Sequence, residues 1–343
     1  MNNFSSFVAP LDDLAVIEIA GPDAAGFLHG QLTHDVTGLA PDRARLAGYC
    51  TAKGRLLGSM VLWQGRQGPS PALYAMVRAD IAPALVKRLS MFVLRAKASL
   101  RLTRLRVLGV TLAGAPAGGL AAESGRLPGE ELIKEAAVLS SQARAWDVAR
   151  TSAGSWIAAP SAGADTARWW FVPADADDAD DDAAPAPAMA GPQARQAADC
   201  WRAADIAAGL PWIEAATQDV FIPQTLNLDL IDAVSFTKGC YPGQEVVARS
   251  HYRGTVKRRM AYGIASGADA DAGGPLAGVD IYNALNPDSP CGRIVNAAHC
   301  GGAAHVLMEV QLADLGGPDF RLRRADGPAI ELMPLPYKIK AED

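Results

Sequence analysis

The sequence predicts an α+β protein that closes on a small β-barrel. Over the first half, amphipathic helical stretches alternate with hairpin-like strand pairs, the pattern of a mixed α+β chain. From Arg249 onward only short strands recur, with Gly and Pro between them, at a spacing that suits a small barrel. The 343 residues, half of them apolar, allow two or three domains and ample core.

The elements follow in chain order. Residues 14–19 alternate as a strand and stop at Gly21-Pro22. Asp23 sits in the opening turn of a helix, where a carboxylate suits the helix dipole, and Phe27, Leu28, Leu32 and Val36 follow at helical spacing. Residues 49–51, 56–63 and 73–77 are expected as strands. Residues 81–94 are expected as a helix with Leu85, Val86, Leu89 and Val93 as its stripe. Strands return at 97–102 and 106–112, and Trp169-Trp170-Phe171-Val172 is a buried strand. The Ala-, Asp- and Pro-rich segment 174–192 cannot bury a core and is expected as a disordered insertion. Residues 199–212 carry the chain onward, and 227–231 form a short helix or turn. Strands at 256–264, 279–282, 291–297, 305–311 and 320–322 make the barrel.

Charge and cysteine usage narrow the function. The net charge is −5, but Asp175, Asp177, Asp178, Asp180, Asp181 and Asp182 crowd one segment, and without those six the remainder is +1. A near-neutral body argues against direct nucleic-acid binding. The five cysteines are odd in number and scattered, with no C-x-x-C. That predicts a reducing compartment and no disulfide framework. It also predicts no stably bound iron–sulfur cluster, which needs about four cysteine ligands. No secretory leader opens the chain, and no apolar run approaches the ~20 residues of a membrane span. A cytoplasmic protein with no membrane partner is expected. His29 and His34 lie five apart, and His299-Cys300 follows Cys291 by nine residues; neither spacing suits zinc, so no metal is expected. There is no G-x-S-x-G elbow. His251 is near Cys240 in sequence, but a Cys–His pair has to meet in space.

One stretch stands apart: Lys238-Gly239-Cys240-Tyr241-Pro242-Gly243-Gln244-Glu245, then Ala248-Arg249 and Tyr252-Arg253-Gly254. Two glycines permit positive φ or close backbone approach, and Pro242 fixes one dihedral. The thiol is therefore expected on a tight turn. An ammonium two residues away favours thiolate, so Cys240 reads as a reactive centre assisted by Lys238. Gln244 and Glu245 are polar where a core strand would be apolar, and Arg249 lies four residues past Glu245, at pairing distance. Arg249, His251, Arg253, Lys257, Arg258 and Arg259 form a basic run, read either as a solvated face or as contacts to phosphates or a polyanionic tail.

The cysteine motif resembles the signature of the YgfZ-type folate-binding proteins, relatives of the glycine-cleavage T-protein, an aminomethyltransferase. The resemblance spans nearly the whole chain. Gly21-Pro22-Asp23 with the stretch from Phe27 to Val36 resembles the family's first helix. Cys50-Thr51-Ala52-Lys53-Gly54-Arg55 resembles its first β-turn, Phe221-Ile222-Pro223-Gln224 with Asn227-Leu228 the lead into the motif, and Leu335-Pro336-Tyr337 its closing segment. The resemblance implies a ring of two α+β subdomains in residues 1–245 and a C-terminal β-barrel in 246–343.

It also implies a function: a folate-binding accessory protein for assembly or repair of iron–sulfur enzymes, with an indirect effect on tRNA modification. The implied cofactor is tetrahydrofolate or a related folate, with Trp201 facing it. The implied partners are iron–sulfur proteins or their assembly machinery. Cys240 and Lys238 carry the chemistry; Gly239, Tyr241, Gly243, Gln244, Glu245 and Arg249 shape the motif. This chain departs from the family at three places. The second pocket tryptophan falls at Leu14, the pterin-anchoring glutamate at Ala207, and the T-protein's catalytic aspartate at Gly58-Ser59. Neither Gly nor Ser is a carboxylate acid or base, so aminomethyl transfer is not expected. The rival readings are a tetrahydrofolate-dependent one-carbon transferase with a replacement acid and an RNA-binding module using the basic run.

Overall fold

The computed structural model of the chain describes residues 6–65, 72–113, 129–164, 166–174, 191–252, 256–266, 274–316 and 319–339. Most of the acidic segment, Arg253 and Gly254 lie outside the described residues. The chain runs β1 (Phe7–Pro10), β2 (Leu14–Ala20), α1 (Ala24–His29), β3 (Arg45–Cys50), β4 (Leu56–Gln64), β5 (Ala72–Arg78), α2 (Ala82–Ser90), β6 (Ser99–Leu102) and β7 (Leu108–Ala113). It continues through α3 (Glu130–Leu139), β8 (Val148–Arg150), β9 (Gly154–Ala159), β10 (Thr166–Pro173), α4 (Pro192–Ala207) and α5 (Gln244–Tyr252). The last strands are β11 (Arg258–Ser266), β12 (Asp280–Asn283), β13 (Asn286–Cys300), β14 (Ala303–Gln311), β15 (Phe320–Leu322) and β16 (Ala329–Met333).

These elements form two five-stranded sheets and a closed barrel, as the α+β reading with a C-terminal barrel expects. The first sheet has the order β3-β4-β5-β2-β6, the second β1-β7-β10-β9-β8, and the barrel closes as β11-β14-β13-β12-β15-β16. In both sheets every pairing is antiparallel. β1 crosses over: Phe7 to Pro10 pair with Thr111 to Leu108 in the second sheet, while β2 four residues later belongs to the first. One large core runs from the first sheet through α4 into the barrel. The barrel interior and the outer face of the second sheet have smaller cores of their own.

The Trp169-Trp170-Phe171-Val172 strand is buried throughout. Three local expectations are corrected. The helix expected at 81–94 stops at Ser90, and Met91, Phe92 and Leu94 stand exposed in the turn that follows. The segment just past Gly243, expected to lead into strands, is the helix α5, whose buried contact is Val247. The third concerns cysteine. Cys200 and Cys300 form a disulfide across a sequence separation of 100 and tie α4 to the end of β13. A disulfide framework shows as an even-numbered, clustered set of cysteines, and a single bridge closing so long a loop leaves no such local pattern. Among the described residues, no helix is long and apolar enough to cross a membrane.

Candidate functional site at the Cys240 loop

The motif cysteine is the exposed free thiol of the chain; Cys50 and Cys291 are buried. Burial pushes the Cys50 thiol up to about 12 and the Cys291 thiol up to about 11, which keeps both protonated and unreactive at neutral pH. Two glycine turns hold the Cys240 loop in place. Gly243 has φ of 81°, and a β-carbon there would stand 2.4 Å from the Thr51 carbonyl and 2.6 Å from Gly54 Cα. Gly54 has φ of 74°, and its β-carbon would meet Val246 at 2.9 Å. The turn at 51–54 and the Cys240 loop therefore interlock backbone to backbone, an approach only glycine permits. Arg55 fastens the same turn to the preceding segment by donating to the carbonyls of Asp219 and Val220 at 3.2 and 2.8 Å.

Lys238 turns inward. Its ammonium donates to the carbonyls of His29 at 2.5 Å and Leu32 at 2.9 Å, at the end of α1, and lies 4.5 Å over the Tyr241 ring. Carbonyls at a helix end and an aromatic face both suit a cation. Burial pushes Lys238 down to about 8, while the charges of Asp35 and Cys240 pull it the other way. Tyr241 is buried, which raises its phenol well above its ordinary value.

The same corner holds a pair that the spacing of the sequence did not reveal. His29 Nδ1 is 2.9 Å from Asp35 Oδ1. Asp35 is held down to about 2, first by the Thr37 hydroxyl at 2.7 Å, with the Gly38 N–H and His29 adding to it. With Nδ1–H donated to that carboxylate, a neutral ring keeps its lone pair on Nε2. A β-carbon on Gly239 would lie 3.6 Å from that nitrogen, so the imidazole faces the residue next to Cys240. A thiol, an ammonium and a carboxylate-oriented imidazole thus share one exposed corner. That is the composition of an activated nucleophile. Sequence reasoning considered His29 only as a zinc ligand, because the six-residue spacing to Asp35 carries no helical or motif signal.

The other motif residues take different places. Glu245 and Arg249 form an exposed pair at 3.1 Å within α5, directed at solvent. Gln244 opens that helix. The lead-in segment clamps the barrel to the loop. Gln224 donates to the Val247 carbonyl at 2.6 Å, Asn227 donates to the Met260 carbonyl at 2.8 Å, and Asp229 takes both arms of Arg259 at 2.6 and 3.1 Å. The closing segment joins the clamp through the Tyr337 hydroxyl, which donates to Gly209 O at 3.0 Å. Part of the basic run is used inside the fold, where Arg259 pairs with Asp229 and Arg258 with Glu309, while the Arg249–Glu245 pair, Lys257 and His251, stacked on Phe236 at 3.7 Å, stand at the surface.

Trp201 lies away from this corner, on α4. It is 1 % exposed, seated on Gly109, 6.2 Å from the Trp170 ring, with the Arg168 guanidinium 4.1 Å above it. Arg168 is itself buried and pairs with Asp205 at 2.5 Å, and Asp205 also accepts from Trp212 Nε1 at 3.0 Å. Where the two sheets, α4 and the barrel meet, Arg78, Arg202, Asp205, Trp212, Glu214 and Asn296 leave a void of about 10 Å³. That is room for one water. Trp201 and Leu14 are both buried, and neither lines that void. A larger cavity of about 180 Å³ lies on another face of α4, with Ala207, Ala203, Thr111, Arg168, Tyr262 and His305 among its walls. Ser59 is buried and spends its hydroxyl on Pro211 O at 3.2 Å and Ile213 N at 3.0 Å, so no acid group stands at the position of the T-protein's aspartate. Among the described residues, no group of three His, Cys, Asp or Glu is placed to hold a metal ion.

No protein-family model matches the chain. Two curated proteins resemble it over nearly its full length. The tRNA-modifying protein YgfZ of Edwardsiella ictaluri (strain 93-146) is 33% identical over 338 residues, covering 97% of this chain and 93% of that protein. The tRNA-modifying protein YgfZ of Cronobacter sakazakii (strain ATCC BAA-894) is 30% identical over 338 residues, covering 96% and 92%. Among solved structures, the glycine cleavage system aminomethyltransferase T from Bartonella henselae superposes with a TM-score of 0.63 at 16% identity, covering 97% of this chain and 86% of that one. That likeness shows a shared fold.

Proposed function

Because the chain belongs to the YgfZ family, we propose that it is an accessory protein acting through the thiol of Cys240. In this reading it supports the assembly or repair of iron–sulfur enzymes. Its effect on tRNA modification runs through those enzymes. The observation that carries the reading is the exposed Cys240 beside the Lys238 ammonium and the His29–Asp35 pair, while the other free cysteines are buried. The Lys238 ammonium and the His29 imidazole, oriented by Asp35, are the proton-handling groups set beside the loop. The T-protein fold supplies the frame, but Gly58 and Ser59 offer no acid for aminomethyl transfer. Robust formaldehyde or aminomethyl transfer by the purified protein would overturn that part of the reading.

The deciding experiment is complementation. In cells lacking the protein, Cys240→Ala is expected to fail to restore iron–sulfur enzyme activity and tRNA modification. Full restoration would make the thiol structural and end the proposal.

Folate is a separate and finer reading. Family and fold support it, and the cavity beside Ala207 is the place on α4 open to part of such a ligand. The packing around Trp201 and the methyl of Ala207 count against tight binding. Titration of tetrahydrofolate against tryptophan fluorescence is therefore expected to give little quenching in the wild type. In Ala207→Glu the restored carboxylate, worth about 1.5–3 kcal/mol to a bound donor, should tighten binding by roughly tenfold or more. No gain in Ala207→Glu would remove the cavity from consideration. The RNA-binding reading keeps only part of its basic run, since Arg258 and Arg259 are paired within the chain while Arg249 and Lys257 face solvent.

A further inference from the structure

A second surface of the molecule has a composition unlike the rest. Between Asp80 and Glu123 the sequence holds no acidic residue, yet Lys87, Arg88, Arg95, Lys97, Arg101, Arg104 and Arg106 fall within it. The chain as a whole is net negative. The fold gathers these cations on α2, the turn after it, β6 and the segment just beyond. Arg101 pairs with Glu18, and Arg106 lies 3.7 Å from Asp12. Lys87, Arg88, Arg95 and Lys97 are exposed and form no ion pair among the described residues. At the centre of this basic surface, the turn presents Met91, Phe92 and Leu94 to solvent, with Leu94 85% exposed, and Leu102 is exposed on β6, the edge strand of its sheet. Clustered exposed apolar side chains mark interaction sites. Met, Phe and Arg are also the residue types enriched at protein interfaces, with charge at the rim and apolar groups at the centre.

This surface is joined to the Cys240 corner by a single short element. The Lys97 N–H donates to Asp23 at 2.7 Å, immediately before α1. At the other end of α1, the His29 carbonyl accepts from Lys238. The six residues of α1 span about 9 Å. The Lys97 end of this surface and the anchor of Lys238 thus stand at the two ends of one short helix.

We propose that the α2–β6 turn is the docking surface for the protein served by Cys240, a partner with an apolar cleft rimmed by Asp and Glu. The assignment rests on the thiol reading above. Charge complementarity selects an acidic partner. The apolar centre selects a folded protein over a polyphosphate chain, which has no use for Met91 and Leu94.

The test uses the full-length chain in cells lacking it. The quadruple variant K87E/R88E/R95E/K97E, and Leu94→Asp as a milder one, should stay folded and keep the wild-type rate of Cys240 alkylation; the quadruple variant is expected to melt a few degrees lower, since Arg88 also hydrogen-bonds Tyr49 and closes α2. Complementation should nevertheless fall by about tenfold or more. A photo-crosslinker placed at position 94 should capture an acidic protein that is also recovered as a mixed disulfide with Cys240, and the quadruple variant should lose both adducts. Undiminished complementation by a folded quadruple variant would overturn the proposal. So would crosslinks to tRNA, to phosphatidylglycerol vesicles or to a second copy of this chain instead. If Cys240→Ala restores activity, the thiol reading itself has failed. If Cys240→Ala is inactive while both surface variants are fully active, only the docking surface has failed.

Discussion

At the scale of single residues, the function turns on Lys238. Its side chain satisfies two carbonyls at the end of α1 and touches the Tyr241 ring, and burial holds it at about 8. An ordinary lysine titrates near 10.5. Below about pH 8 both folded and unfolded chains carry the proton. Between about 8 and 10.5 the unfolded chain binds a proton that the folded chain does not. Stability therefore rises with pH across that window. Urea unfolding should show the wild type gaining on Lys238→Met as pH climbs from 8 to 10; a flat difference would mean the ammonium is not buried. The same variant should slow iodoacetamide alkylation of Cys240 at pH 7, because it removes the cation coupled to the thiol. His29→Ala should slow it as well. The thiol and its lysine were legible in the sequence because they lie two residues apart. His29 and Asp35 were not, because they come beside the motif loop only when a helix from the first forty residues packs under a loop two hundred residues later.

At the scale of elements, the fit of two turns decides whether the thiol is presented. Gly243 and Gly54 both occupy the left-handed region and touch each other's backbone. Gly243→Ala would add about 1–2 kcal/mol for the conformation alone, before the contact with the Thr51 carbonyl is relieved. Calorimetry should show a drop in melting temperature of several degrees, together with a changed alkylation rate at Cys240. An unchanged melting temperature would mean the loop is held elsewhere. The motif pieces noticed separately in the sequence, from Cys50-Thr51 to Leu335-Pro336-Tyr337, gain their meaning here. They are the parts of one clamp, linked by Arg55, Gln224, Asn227 and Tyr337. The helix α5 escaped sequence reading because it is short and buries a single valine, which leaves no periodic stripe.

At the scale of the whole molecule, the mixed α+β class and the barrel were legible from the alternation of hairpins with helices and from short strands spaced by Gly and Pro, while the two-subdomain arrangement came with the family resemblance. How they are tied together was not. The Cys200–Cys300 bridge closes a loop of 100 residues between α4 and the barrel. On the chain-entropy account, a loop of that size contributes about 4–5 kcal/mol. Cys200→Ser should lower stability under oxidising conditions by about 2–5 kcal/mol, and dithiothreitol should bring the wild type down to the variant. If the reductant leaves the wild type unmoved, the two thiols are not joined. Trp201 belongs to this scale too. Its edge contact with Trp170 and its place under the Arg168 guanidinium are long-range arrangements, and the sequence showed only a tryptophan that the family resemblance sets against folate.

The crossing of β1 bears on how the chain is made. Phe7 to Pro10 leave the ribosome well before their partner strand β7, which lies a hundred residues later. The first sheet can be completed once β6 has emerged, while the strand ahead of it still has an open edge. Vectorial synthesis thus builds the first module with a loose leading strand, and the arrival of β7 stitches that strand into the next module. The non-local pairing makes this a slow step, and it commits the two sheets to each other before α4 or the barrel exists.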